Sequence, residues 1–297
     1  MLLLIFLLLI PILITSQEDG SWKDLAFGVR TDENGTVESA HVYWTDEFDD
    51  SFAQAYTDQN RTGLDFLNDK PVPEVHITTN FISEAFQSFM NFYKNQTKIG
   101  KVSINVPSLL ADIQKHLPKK PKSTEYPNVS YFAFNTFDTV VYSEFFKISN
   151  GIPDKIRLSF FNFAERTQKI LDGRVLEAQE FRKTKTLDLR AIETDVTDEQ
   201  FLELECQSIN IRSASLTNQG INKIVKEWQN GVRSTQYLKI VSDDIQKAEI
   251  MDGVMKTTLT RGTWQIRNRF NATAIVTISR VPTNFFEAQP TFEFSVN

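Results

Sequence analysis

A single cysteine, Cys206, stands among 297 residues, so no intrachain disulfide is possible and the fold must be held by its core. Small secreted domains usually carry disulfides, whereas a chain of this length buries enough apolar surface without them. Cys206 itself reads as a buried structural thiol. Histidine is scarce too. His41, His76 and His116 lie far apart, none four residues from another, and the Cys/His spacing of a zinc site is absent. His76, in an expected strand, reads as structural. Basic charge is not in excess. The formal net charge is −6, which argues against nucleic acid as a partner, since that needs a basic stripe. The local exception runs from Lys115 to Lys122; Pro118 and Pro121 deny it a helix, and it reads as a solvated loop. No G-x-S-x-G, H-E-x-x-H, P-loop or G-x-G-x-x-G occurs. Nothing in the sequence places a histidine beside Cys206 to complete a nucleophilic dyad. The acidic cluster from Asp46 to Asp50 lacks the glycine and distal glutamate of a calcium loop and reads as a solvated turn. The expectation is a protein that is not an enzyme and holds no metal and no cofactor.

What is abundant is phenylalanine: 24 Phe against 7 Tyr and 4 Trp. Phe has no polar handle, so the surplus reads as core filler. The chain opens MLLLIFLLLIPILI, with no charged side chain before Glu18. The apolar run from Leu2 to Ile14 is too short for a bilayer, which needs roughly 20 residues, and matches the apolar region of a secretory leader. Thr15 and Ser16 follow, so residues 1–16 are expected to be a signal peptide cleaved after Ser16, with an uncleaved short anchor as the alternative. No later stretch is long and apolar enough to cross a membrane. The expected localisation is therefore outside the cell or in the lumen of the secretory pathway, with no membrane span after cleavage. Five N-x-[ST] acceptors fit that compartment: Asn34, Asn60, Asn95, Asn128 and Asn271. All fall at expected loops or element ends, where a sugar is tolerated.

From residue 75 onward, short alternating runs recur, each followed by a helical stretch. The strands read are 75–79, 102–106, 131–134, 156–160, 187–191, 209–212 and 237–241, with starts 27, 29, 25, 31, 22 and 28 residues apart. Period-2 alternation marks a sheet with one buried face, and the spacing is near that of a leucine-rich repeat. Between them, Phe81 to Tyr93 carries an apolar stripe, and Leu109, Leu110, Ile113 and Leu117 make another. Thr197 opens a helix with a capping-box-like start. Thr217 caps a further helix whose stripe includes Ile221, Ile224, Val225 and Trp228, and Gly231 stops it. Trp228 on that stripe reads as core. Asp243 and Asp244 read as the cap of the helix that follows them.

The expected architecture is α/β: a leucine-rich-repeat-like strand–helix solenoid with a parallel sheet over residues 71–252. A polar capping region of few elements precedes it at 17–70. A β-rich C-terminal cap, continuous with the solenoid, follows at 253–297, with strands at 264–267, 274–279 and 292–296 and a turn at Asn271. The competing architecture, a doubly wound α/β domain, would normally offer a Gly-rich turn, and none is present. On the strands, Asp188, Arg190, Asn210 and Arg212 alternate with apolar neighbours. They are expected to face solvent and to contact a ligand.

The stretch from Thr197 to Val241 carries TDEQFLELECQSINI, then SLTNQGINKIVKEWQNG, then YLKIV. It resembles the type-2 F-box-associated domain, a large nematode family. In that family a Leu-Leu-x-x-x-Cys segment leads to a strand, and an S-x-L-T-N-x-x-[LI]-N helix ends in a Trp. Ile250-Met-Asp-Gly-Val254, Trp264-x-Ile-Arg267 and Phe292-x-Phe-x-Val296 are similar to it as well, although the family's D-I-R-R-x-D-G-x-x-A-T-I is degraded here. The likeness is good over about 185–297 and faint over about 75–185. The resemblance implies a substrate-recognition module, usually carried behind an F-box that docks to the Skp adaptor of a ubiquitin ligase. Where the F-box would stand, this chain has the apolar leader and an acidic, polar segment. The expected function is thus a non-catalytic secreted recognition module for a protein or other macromolecular ligand. The alternative is a cytosolic ubiquitin-ligase substrate-receptor-like protein without a functional F-box.

Overall fold

The computed structural model describes residues 21–31, 36–45, 51–57, 66–67, 70–71, 74–76, 80–106, 110–117, 126–159, 170–283 and 286–297. The chain divides into two compact units. The first takes residues through Val102, Leu110–Val129 and Lys147–Asn150; the second takes Ser103–Leu109, Ser130–Phe146 and Gly151–Asn297.

In the first unit, β1 (Ser21–Thr31), β2 (Val37–Thr45) and β3 (Ser51–Thr57) pair antiparallel. Two-residue strands β4 (Phe66–Leu67) and β5 (Lys70–Pro71) pair with each other, and β6 (Glu74–His76) adds parallel to β3. Helix α1 (Phe81–Lys94) and β7 (Lys98–Asn105) follow, then the one-turn α2 (Ala111–Gln114). The strand order is β7-β1-β2-β3-β6. Residues 17–70 were expected to hold few elements, and three long strands stand there instead. Their alternation is real: Leu25, Phe27 and Val29 in β1 and Ala40, Val42 and Trp44 in β2 are buried. Polar neighbours and the loops between the strands dilute the period-2 signal. Helix α1 starts at Asn80, whose side chain accepts from the Ser83 N–H at 3.0 Å. Its apolar stripe covers these strands, with Phe86 edge-on to Phe27 at 5.1 Å and Phe92 against Trp44 at 4.5 Å.

The second unit takes β8 (Asn128–Asn135) from Ser130 onward, α3 (Thr139–Lys147) as far as Phe146, β9 (Lys155–Ser159) and β10 (Ile170–Leu171). A 3₁₀ turn (Gly173–Glu177), α4 (Gln179–Lys183), β11 (Thr186–Thr194), α5 (Asp198–Leu202) and β12 (Ser208–Ser213) come next. Helix α6 (Asn218–Gln229), β13 (Tyr237–Val241) and α7 (Lys247–Ile250) complete the alternating part. Four strands close the chain: β14 (Lys256–Thr260), β15 (Thr263–Arg267), β16 (Thr273–Thr283) and β17 (Phe286–Val296). Strands β8, β9, β11, β12 and β13 lie side by side and parallel, in chain order. Strand β17 then pairs antiparallel with β13, followed by β16, β15 and β14.

The α/β class holds, but the finer expectation of a leucine-rich-repeat solenoid with a parallel sheet does not. The sheet is mixed and rich in strands, and α4, α5 and α7 have five residues or fewer. The reason is local. A parallel neighbour needs a crossover of a dozen or more residues, whereas the segments after β14 are joined by tight turns and can only run antiparallel.

Two rows of apolar side chains line one face of this sheet. Leu187, Ile209, Leu238, Phe294 and Val276 stand in register, as do Ile211, Ile240, Phe292 and Ile278. The helices pack on that face. Trp228 of α6 meets Phe294 at 5.0 Å, and Phe145 and Tyr142 of α3 meet Phe134. Each fully buried Phe contributes about 1.5–3 kcal/mol, and Phe132, Phe134, Phe145, Phe146, Phe292 and Phe294 are buried here. Thr197 and Gln200 form the expected capping box on α5, and the Thr217 hydroxyl accepts from the Gly220 N–H at 3.1 Å. The Thr217 N–H in turn donates to the Asp198 carboxylate at 2.9 Å, tying α6 to α5. Gly220 is required there, because a Cβ would stand 2.2 Å from Asp198 Oδ1. Gly231 ends α6 at φ 66°, and Asn271 turns the chain at φ 65°. Asp243 and Asp244 do not cap α7. They accept from Gln289 and Gln246, and the Gln246 N–H at the helix start donates to Asn218 Oδ1 at 2.9 Å. The turn that places Asp243 beside β17 takes its carboxylate away from the helix.

Candidate binding surface

Alternation along β9, β11, β12, β13 and β17 puts a polar set of side chains on the sheet face opposite the helices. The register aligns them in rows. One row runs Ala133, Arg157, Asp188, Asn210, Lys239, Glu293 and Thr277, strand to strand. A second runs Lys155, Thr186, Ser208, Tyr237 and Ser295. Lys155 sits 4.6 Å from the centre of the Tyr131 ring, and the Tyr237 hydroxyl donates to Glu293 at 3.2 Å. Charges of both signs are interleaved, so this face offers hydrogen bonds and discrete charges rather than a field of one sign.

The structure brings three of the four expected contact residues onto this face, but not as free, solvated groups. Asp188 is 8% exposed and faces Arg157 Nε at 4.0 Å. Arg212 is ion-paired with Glu193, their side chains being 11% and 12% exposed. Asn210 is half-buried, and among the described residues its Oδ1 has no hydrogen-bond partner. The Arg190 side chain lies outside the described residues. The departure has a physical cause. Between Asp188 and Glu193, β11 advances five residues while β12 advances two, from Asn210 to Arg212. Such a bulge re-aims side chains, and it delivers Glu193 onto Arg212. Arg157, Glu193, Lys239 and Glu293 were not read from the sequence. Only the register brings them together, and no short-range pattern encodes it.

Of the acceptors, Asn34 and Asn60 lie outside the described residues. Asn95 is exposed at the end of α1, Asn128 at the start of β8, and Asn271 at its turn. Asn95 and Asn128 come together at an open cleft of about 670 Å³ in the first unit, which Thr97, Tyr126 and Asn150 also line. The Asn128 N–H donates to the Thr97 carbonyl at 2.9 Å, which fixes that proximity. The acidic cluster 46–50 and most of the basic loop, residues 118–122, lie outside the described residues. His116, expected in a solvated loop, instead hydrogen-bonds through Nε2 to Ser83 Oγ. That pair is a docking contact. The Ser83 N–H is committed to Asn80, and Asp112 is engaged by Asn80 and Lys115.

Cys206 sits at the junction of α5 and β12, 1% exposed, donating to the Phe181 carbonyl at 3.4 Å. Burial pushes its thiol up to about 12, away from a reactive thiolate. Among the described residues no group of three or more His, Cys, Asp or Glu side chains could hold a metal ion. No helix there is long and apolar enough to cross a membrane. Comparison with protein-family models, with curated proteins and with solved structures finds no match.

Proposed function

We propose that this chain is a non-catalytic recognition module of the secretory pathway or the extracellular space, and that it engages a protein or other macromolecular ligand through the polar sheet face. The observation that carries the reading is the register-aligned row Arg157, Asp188, Asn210, Lys239 and Glu293. Four strands present Arg157, Asn210, Lys239 and Glu293, each half-buried, with the buried Asp188 set against Arg157, and a scaffold of paired strands is what a recognition surface needs. The resemblance of Thr197–Val241 to F-box-associated substrate-recognition domains supports a binding role. The apolar opening and the N-x-[ST] acceptors support the compartment.

The test is to express the chain with its own amino terminus in animal cells. Protein in the medium, starting near Gln17 and losing apparent mass on N-glycosidase treatment, is the expected result. A full-length, unglycosylated protein in the cytosol would overturn the compartment and make the ubiquitin-ligase-receptor-like reading the one to pursue. Purified protein labelled with a fluorophore is then titrated onto cultured animal cells beside an Asn210→Ala/Lys239→Glu variant. Saturable binding that the variant loses is expected. Equal binding by both proteins would remove the polar face from the reading.

A further inference from the structure

A second surface lies at the sheet edge of the second unit. Strand β14 ends the strand order, and all five of its residues are exposed. Its outer edge pairs with no described strand, so a row of backbone donors and acceptors faces outward. Proteins usually blunt such an edge with proline or several charges. Here Lys256-Thr-Thr-Leu-Thr260 has no proline and one charge, and its single bulge falls at Leu259.

The surroundings of β14 are apolar and cationic. Met255 is 75% exposed and Leu259 50%. Met255 is held rather than frayed. The buried Gln229 side chain donates to the Met255 carbonyl at 2.7 Å and to the Arg267 carbonyl at 3.3 Å, and accepts from the Met255 N–H at 3.1 Å. Between Gly253 and Arg280 the chain carries Lys256, Arg261, Arg267, Arg269 and Arg280 and no Asp or Glu, in a protein whose net charge is −6. Arg261 and Arg267 are exposed, and among the described residues neither side chain has an ion-pair or hydrogen-bond partner. An open edge, ordered apolar anchors and unneutralised cations on one rim define the chemistry of what completes it.

We infer that β14 receives an extended acidic segment of a partner protein, which adds to the sheet as a further strand. Main-chain hydrogen bonds to β14 would supply the pairing. Arg261 and Arg267 would select carboxylates, and Met255 and Leu259 would hold the apolar side chains between them. This site is separate from the polar face and does not depend on the role proposed for it.

The probe is a fluorescein-labelled seven-residue peptide alternating glutamate and valine, titrated by anisotropy against the full chain made without N-glycans. Saturable binding is expected, weakened about tenfold or more by Arg261→Glu/Arg267→Glu. It should be abolished when proline replaces the valines, because the backbone can then no longer pair. Both replaced arginines are exposed, so circular dichroism should show an unchanged fold; the loss of wild-type binding with rising salt reads the same charges without any variant. The Asn210→Ala/Lys239→Glu protein should bind the peptide like wild type. Absence of binding, equal binding of the proline peptide, or equal binding by the Arg261→Glu/Arg267→Glu protein would overturn the inference. So would phosphatidylserine vesicles that sediment the protein when the peptide does not bind, which would assign the rim to a lipid surface.

Discussion

Ser83 Oγ and His116 Nε2 join the first turn of α1 to the turn after α2. The His116 ring also lies 6.4 Å from that of Phe86, and Lys115 bonds Asp112 at 3.1 Å beside it. Burial lowers the His116 pKa, the Lys115 charge lowers it further, and Glu84 and Asp112 oppose the shift. The folded state therefore favours neutral imidazole, while the unfolded chain takes up a proton near pH 6.5. The contribution of His116 to stability is full above that value and is lost as pH falls through it towards the lower folded value. Urea midpoints at pH 7.5 and 5.5 should fall more for the wild-type protein than for His116→Gln, whose amide cannot titrate. An equal fall in both would remove His116 as the cause. This residue also shows what spacing conceals. The place of Trp228 on a helical stripe predicts a core residue, and it is 4% exposed. His116 stands just before two prolines and their lysines in sequence; its contact lies 33 residues away, and nothing local encodes it.

The capped helices separate two strengths of the same device. Thr197 closes a reciprocal box with Gln200; Thr197 is exposed and Gln200 half-buried. Thr217 caps α6 and also donates through its hydroxyl to Asp198, so one side chain holds two elements. Thr197→Ala should cost about 1 kcal/mol, the usual loss for an N-cap. Thr217→Ala should cost more, about 2 kcal/mol, because the Asp198 carboxylate loses a charge-assisted partner as well. Urea unfolding of the two single variants tests the order, and a larger loss for Thr197→Ala would refute it. These caps were legible because a cap is written within four residues. The five parallel strands were legible because each alternates cleanly between loops. Strands β1 to β3 were not, since polar residues dominate their segment. Strand β14 was not, since none of its side chains is buried and no apolar period exists to find. The bulge in β11 was invisible for a related reason: register is a relation between strands, and it turned Asp188 and Arg212 from free contacts into paired ones.

At the scale of the whole molecule, the lone cysteine becomes a reporter on the core that the chain relies on in place of disulfides. Cys206 lies under α4, bonded to the carbonyls of Phe181 and Arg182, and Phe181 packs edge-on against Phe146 at 5.3 Å and Tyr142 at 6.0 Å. Reaching the sulfur means parting that aromatic cluster, and the thiol raised to about 12 is almost wholly protonated at pH 8. Thiolate is the reacting form, so the native chain should react with a chromogenic disulfide reagent only through opened molecules. In the opened chain the thiol returns to an ordinary value near 8.5 and reacts freely. If the second unit opens as one cooperative body, the logarithm of the reaction rate should rise linearly with urea. Its slope should match that of unfolding followed by circular dichroism. A shallower slope would mean that α4 lifts locally while the parallel strands stay paired. A fast reaction that ignores urea would place Cys206 at the surface and undo the reading of the cluster around it. Phe181→Leu distinguishes the cases. It leaves the backbone carbonyl acceptor in place and removes ring contacts, so it should speed the reaction of a cooperative core in proportion to its loss of global stability. It should leave a urea-independent surface reaction unchanged.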